Sequence, residues 1–241
     1  MNPYKLIFLL ALGIAVSTFS QAQLTIQRTG IRTSNRMNRY TPIIESLTGQ
    51  RITLEDYDKL IQSDPYKYHL VADYDEYGRP KAYTMRPSTD EEYNTRQFRD
   101  RDPAKQPKIG QSLAPFVMTA TDEKTYRSTD LMGKVILLSF WISLDKPFWT
   151  EKEAENVTQI LQPFLSNTDF VTLGVLNSEP PARATGFPFS PIPNGYGFHH
   201  KYHITAIPTF VVIDKTGRVI ANLQGAASYE KLQQVLAAAM Q

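Results

Sequence analysis

The chain has 241 residues, 41% of them hydrophobic, with 26 basic and 24 acidic side chains and a formal net charge of +2. That balance gives no global field to draw in nucleic acid or an anionic membrane, and a mean hydropathy of -0.34 excludes a bundle of membrane spans. The apolar content suffices for one good core and a small second module, and there is no cysteine anywhere.

The N-terminus reads as an export signal. Lys5 is the only charge before residue 24, Leu6 to Val16 is apolar or small throughout, and Ser20-Gln21-Ala22 offers small residues for cleavage after Ala22. Eleven helical residues rise about 16 Å, too short for a hydrocarbon core of about 30 Å. The expected mature chain is therefore periplasmic or extracellular, with no span left after cleavage. Disulfides survive in those compartments, so the missing cysteines carry more weight there.

Residues 23–87 read as a small α+β region. Its opening stretch carries Arg28, Arg32, Arg36 and Arg39, either a solvated arm or a docking patch. Thr53 with Asp56 three residues on forms a capping box ahead of an amphipathic run through Leu54, Tyr57, Leu60 and Ile61, and Asp64-Pro65 stops it. His69–Tyr74 and Lys81–Met85 read as a hairpin, with Gly78 free to take positive φ in the turn. Residues 88–108 are highly charged, contain Pro103 and Pro107, and read as a linker.

From residue 109 the texture changes. A short strand is expected near Phe116–Thr119, and Asp130-Leu-Met-Gly-Lys134 is a turn feeding Val135–Trp141. That run is apolar at nearly every position, as suits a central strand covered on both faces. Helical spacing places Ala154, Val157, Ile160, Leu161 and Phe164 on one side of 150–165. Phe170–Leu176 is a second buried strand, completing a right-handed parallel unit. Residues 177–197 form a proline-rich loop, and 196–202 one or two helical turns. Thr209–Ile213 pairs back with 218–223 through the turn Asp214-Lys-Thr-Gly217, and Ser228 is expected to cap a last helix with Leu232, Val235 and Leu236 inward.

Five of these pieces, in order, resemble the periplasmic thioredoxin-like reductases of the TlpA/ResA type. They are Gly110…Ala114-Pro-Phe116, Asp130-Leu-Met-Gly-Lys134, Leu138-Ser-Phe-Trp141, Tyr202…Ile207-Pro-Thr209 and Val212-Ile-Asp-Lys-Thr-Gly217. The resemblance covers residues 109–241. It implies an α/β thioredoxin-like fold, a central mixed sheet flanked by helices, preceded here by the small α+β region. It also implies a Cys-x-x-Cys pair at a helix start, and aligning on Phe140-Trp141 puts the two positions on Asp145 and Phe148. Thiol–disulfide exchange needs a thiolate attacking sulfur, so the family's reaction is not available to these side chains.

What remains is a surface. The resemblance places a cis-proline at Pro208, and the residue before it, Ile207, where the family pairs its backbone with an extended peptide, a mode that needs no sulfur. Trp141, Asp145, Lys146, Pro147, Phe148, Trp149, Ile207 and Pro208 are therefore the candidate binding surface. Asp145 reads as a helix N-cap that replaces the thiolate's charge, although Thr150-Glu-Lys-Glu153 offers a rival helix start that would leave Asp145 in a loop. The expected function is a non-catalytic peptide- or protein-binding accessory module, monomeric or weakly associating. The alternatives are non-thiol chemistry between Asp145 and His199 or His203, and a structural domain supporting a functional 24–108. His199 and His203 are four apart and are weak metal candidates; no cofactor is expected.

Overall fold

The computed structural model describes residues 40–183 and 185–241. The expected signal sequence and the arginines at 28, 32, 36 and 39 lie outside them.

The chain opens with β1 (Ile43–Glu45), β2 (Arg51–Ile52), α1 (Leu54–Ile61), β3 (Tyr68–Tyr74) and β4 (Pro80–Pro87), then α2 (Asp90–Thr95). The four strands form one sheet in the order β2-β1-β4-β3. The hairpin β3–β4 is antiparallel, as its sequence predicts, and β1 adds to β4 in parallel. The strands β1 and β2 were not foreseen: at three and two residues they carry no periodicity of their own. Both halves of the Thr53–Asp56 capping box form, yet α1 buries no residue, so its amphipathic face is only half covered.

Next come β5 (Val117–Thr119), β6 (Thr125–Arg127), β7 (Val135–Trp141), α3 (Glu151–Leu161), β8 (Phe170–Leu176), β9 (Ser190–Ile192), α4 (Tyr196–Lys201), β10 (Thr209–Ile213), β11 (Val219–Gln224) and α5 (Tyr229–Ala239). The main sheet runs β11-β10-β7-β8-β9. All seven residues of β7 are buried. Successive side chains leave a strand on opposite faces, and the packing follows that rule. Ile136, Leu138 and Phe140 enter one core with Phe116, Met118, Phe198 and Tyr202. Val135, Leu137 and Trp141 enter the other, with Val157 and Leu161 of α3 and Leu232 and Leu236 of α5. The proline-rich loop contributes β9, which pairs in parallel with β8. Ser228 does not cap α5: its hydroxyl donates to the Gln224 carbonyl at 2.7 Å instead.

The N-terminal sheet docks on α4 through two glycines. A Cβ built on Gly197 would stand 1.7 Å from the Gly78 carbonyl oxygen, so only hydrogen fits there. Around this contact Lys201 Nζ donates to the Asp75 and Pro115 carbonyls at 2.7 and 2.8 Å, and the Val117 N–H to the Glu76 carbonyl at 2.7 Å. Residues 88–108, expected as a linker, hold the capped helix α2 and then run to the corner at 203–205. There Arg101 Nη1 donates to the Ile204 carbonyl at 2.6 Å, and Gln106 Nε2 to the His203 carbonyl at 3.0 Å and Thr205 Oγ1 at 2.8 Å. The stretch is anchored at its start too: Arg86 donates two bonds of 2.7 Å to Glu92, which hold the Glu92 carboxyl well below the usual carboxylate range against the opposing effect of burial.

Candidate functional site

The site is the end of the sheet where β7 and β10 stop. The antiparallel register pairs Thr209 with Phe140, so Ile207-Pro208 and Trp141-Ile142 leave adjacent strands at the same end. The Ile207–Pro208 peptide bond is cis. Pro208 is buried, and its carbonyl accepts from the Gly225 N–H at 2.7 Å. Ile207 is half-buried and packs its side chain against the core. No hydrogen bond is made to the Ile207 N–H or carbonyl among the described residues.

Beyond β7 the chain turns through Asp145–Trp149. The Phe148 and Trp149 N–H groups donate to the Asp145 carbonyl at 3.0 and 3.1 Å, and the Lys146–Pro147 bond is also cis. Helix α3 begins only after Thr150, whose hydroxyl accepts from the Glu153 N–H at 3.2 Å. The rival start therefore prevails and the expected N-cap role of Asp145 does not. The Asp145 carboxylate instead accepts from the Ala182 N–H at 3.2 Å, tying the 145–149 turn to the proline-rich loop. A β-branched hydroxyl next to the first helical turn wins here because Pro147 and the turn around it keep 145–149 out of helical register.

The aromatic residues divide into those that support and those that present. Trp141 is 2% exposed and belongs to the core, not the surface expected from its place in the motif. Its indole N–H donates to Ser139 Oγ at 2.9 Å, and its ring meets Trp149 edge-on at 4.9 Å and Phe210 at 5.7 Å. Trp149 is half-buried against Phe187 and Phe189. Phe148 is 52% exposed and Ile142 39%. The accessible part of the expected surface is thus Lys146, Pro147, Phe148 and the edge of Ile207, with Ile142 added; only strand register could have revealed the last.

The histidines are elsewhere. His199 is buried beside Phe140, with Nε2 3.2 Å from the Val175 carbonyl, and burial pushes its pKa down to about 4. His203 lies past the end of α4 with φ +51°, and its Nδ1 accepts from the Asp102 N–H at 3.1 Å. The break after Lys201 takes it off the helical face that the spacing of four suggests. Neither histidine shares a hydrogen bond with Asp145, and the described residues contain no group of three or more potential metal ligands.

Part of the chain resembles known proteins. Residues 130–240 match the family model described as a thioredoxin-like domain. The thiol-disulfide oxidoreductase ResA of Bacillus anthracis is 28% identical over 134 residues, which are 52% of this chain and 75% of that protein. The ResA of Bacillus cereus strain ATCC 10987 is 27% identical over 137 residues, 53% and 76% of the two chains. Among solved structures, an exposed lipoprotein thioredoxin of Streptococcus pneumoniae aligns at 22% identity and a TM-score of 0.41, over 52% of this chain and 99% of that one. A thioredoxin-family thiol:disulfide interchange protein of Chlorobium tepidum aligns at 20% identity and 0.41, over 58% and 99%. Residues 130–240 of this cysteine-free chain are a thioredoxin-like domain, related in sequence to thiol-disulfide oxidoreductases.

Proposed function

We propose that this protein is an exported, redox-inactive thioredoxin-like module that holds an extended peptide or a partner protein segment at the Ile207 edge. The observation that carries the reading is the unpaired N–H and carbonyl of Ile207 at the open end of the sheet. A backbone donor and acceptor side by side suit an added extended segment, which supplies main-chain hydrogen bonds while neighbouring side chains give selectivity. Exposed Phe148 and Ile142 supply apolar surface at the end of β7, and Trp149, next to Phe148 in the chain, packs edge-on against Trp141. Zero cysteines leave no thiolate to turn over a bound disulfide. Export rests on the leader-like opening of the sequence; among the described residues no helix is long and apolar enough to cross a membrane.

The test is a photo-crosslinker placed at Ile142 and read in the native envelope, with and without Phe148→Asp. One specific adduct, lost in the variant, is the expected result. An adduct pattern indifferent to Phe148→Asp overturns the reading. Phe148 is chosen over Trp149 because Trp149 helps fill the core, so its loss would confound binding with folding. A purified-protein insulin reduction assay should be flat, and measurable turnover would also count against the proposal.

A further inference from the structure

The sequence holds four histidines in 241 residues, and the fold gathers all of them at one seam, where the N-terminal sheet and the 98–106 strap meet α4 and the corner after it. His69 of β3 is buried, stacked on Phe98 at 4.7 Å, with Nε2 2.7 Å from Asp100 Oδ1. His200 of α4 is buried between Tyr196 at 4.3 Å and Tyr74 at 5.9 Å. His203 accepts from the strap's Asp102 N–H, and His199 is seated on the Val175 carbonyl behind them.

The charged groups facing this seam are mixed. From the strap, Asp100 faces both His69 and His200, Arg101 faces His200 and His199, and Asp102 and Lys105 face His203. From α4, Lys201 points its ammonium at the Asp75 and Pro115 carbonyls and Tyr196 lies over His200. From the N-terminal sheet come Tyr74 and Tyr83, and burial raises both phenols, so they stay neutral. Beyond Asp100 and Asp102, the facing charges Arg101 and Lys105 are cations. Added positive charge on His200 and His203 is opposed by Arg101 and Lys105 and favoured less strongly by Asp100 and Asp102.

We propose that the 98–106 strap is an acid-released latch: protonation of His200 and His203 detaches it from α4 and the 203–205 corner, and so loosens the loop that carries Ile207 and Pro208. Two bonds make the coupling direct. Protonated His203 Nδ1 can no longer accept from the Asp102 N–H. Protonated His200 faces Arg101, whose guanidinium holds the Ile204 carbonyl. The direction follows from burial. His200 is depressed to about 4, chiefly by desolvation and then by Arg101, and His203 is lowered chiefly by desolvation and then by Lys105. Both regain the ordinary value near 6.5 on release, so protons favour the open strap as pH falls below about 6.5. That the loosened loop tunes peptide capture rests on the function proposed above; the latch does not.

Hydrogen–deuterium exchange of the full chain without any ligand, at pH 7.5 and pH 4.5 with intrinsic rates corrected, tests it. Protection of 98–106 and 203–207 is expected to fall at least about tenfold at pH 4.5, while β7, β8 and β10, though weakened with global stability, stay far better protected than the strap. In His200→Phe, His203→Asn the strap is expected to stay closed: phenylalanine retains the ring between Tyr196 and Tyr74, and asparagine tolerates the positive φ at 203 and keeps in its Oδ1 an acceptor for the Asp102 N–H at any pH. Unchanged exchange in the wild type overturns the latch. Exchange of β7 and β10 as fast as that of the strap also overturns it, because acid would then simply unfold the chain. So does release in the double variant equal to wild type. If that variant fails to fold at pH 7.5, the wild-type comparison and each single substitution decide, each single being expected to lower the release pH. Since no ligand is present, a failed latch leaves the peptide reading standing, and an absent peptide adduct leaves the latch standing.

Discussion

Two regions of the molecule are built very differently. Where β7 ends and β10 begins the protein is an apolar junction: Trp141, Trp149, Phe187, Phe189 and Phe210 interlock, with Asp145 in a turn and an exposed Phe148 beside them. Toward the N-terminal sheet it is a titratable seam holding every histidine, with Asp100, Arg101, Asp102 and Lys105 against it. The first region is interlocked aromatic packing in a chain without cysteine. The second collects proton-sensitive groups. The first depends on apolar volume and register, the second on particular titratable atoms.

The comparison breaks first at Trp141. Trp141→Ala removes a fully buried ring and its hydrogen bond and should cost about 4 kcal/mol in chemical denaturation, whereas Phe148→Ala should cost less than about 0.5 kcal/mol. Similar losses at both would mean that Phe148 is structural and no presenting residue. Next is the acid limb. His199 is 1% exposed and its folded pKa, about 4, lies below the ordinary 6.5. Its neutral form is what the fold holds, so stability is complete above about pH 6.5 and falls toward pH 4, by about 3 kcal/mol. Denaturation curves of wild type and His199→Leu across that window should converge, and a wild type as stable at pH 4 as at pH 7 would contradict it. Gly197→Ala is expected to cost about 2 kcal/mol by forcing Gly78 and its hairpin off α4, with amide exchange rising in β3 and β4 before β7. The smallest expected change sharpens the other side. A single thiol introduced by Asp145→Cys should alkylate with an ordinary pKa near 8.5, because position 145 is not at a helix N-terminus. A thiol titrating below about 7 would show that the electrostatics of a redox site persist there.

Much of the domain from residue 109 on was legible from pattern alone. Val135–Trp141 and Phe170–Leu176 are long apolar runs, and their alternating faces fill two cores. The Thr53 box and the Thr150 cap are local chemistry, readable within four residues. The competition between Asp145 and Thr150 was visible as a choice, but its outcome was not, because it depends on the turn that Pro147 enters and on the Ala182 N–H arriving from 37 residues away. Trp141's burial follows from Phe210 and Phe189 closing over it, and neither is near in sequence.

By itself, then, the sequence determined the absence of cysteine and the existence of the central strands and helices, since each depends on residue type or on short-range periodicity. Tertiary structure decided which residues are accessible, which small strands form, and that a charged stretch with the composition of a linker is a strap. The physical reason is separation along the chain. Arg101 meets Ile204, Asp102 meets His203 and Gln106 meets Thr205 across about a hundred residues. Polar contacts of that kind leave no period in the sequence, because they are set by how the two sheets come together around Gly78 and Gly197.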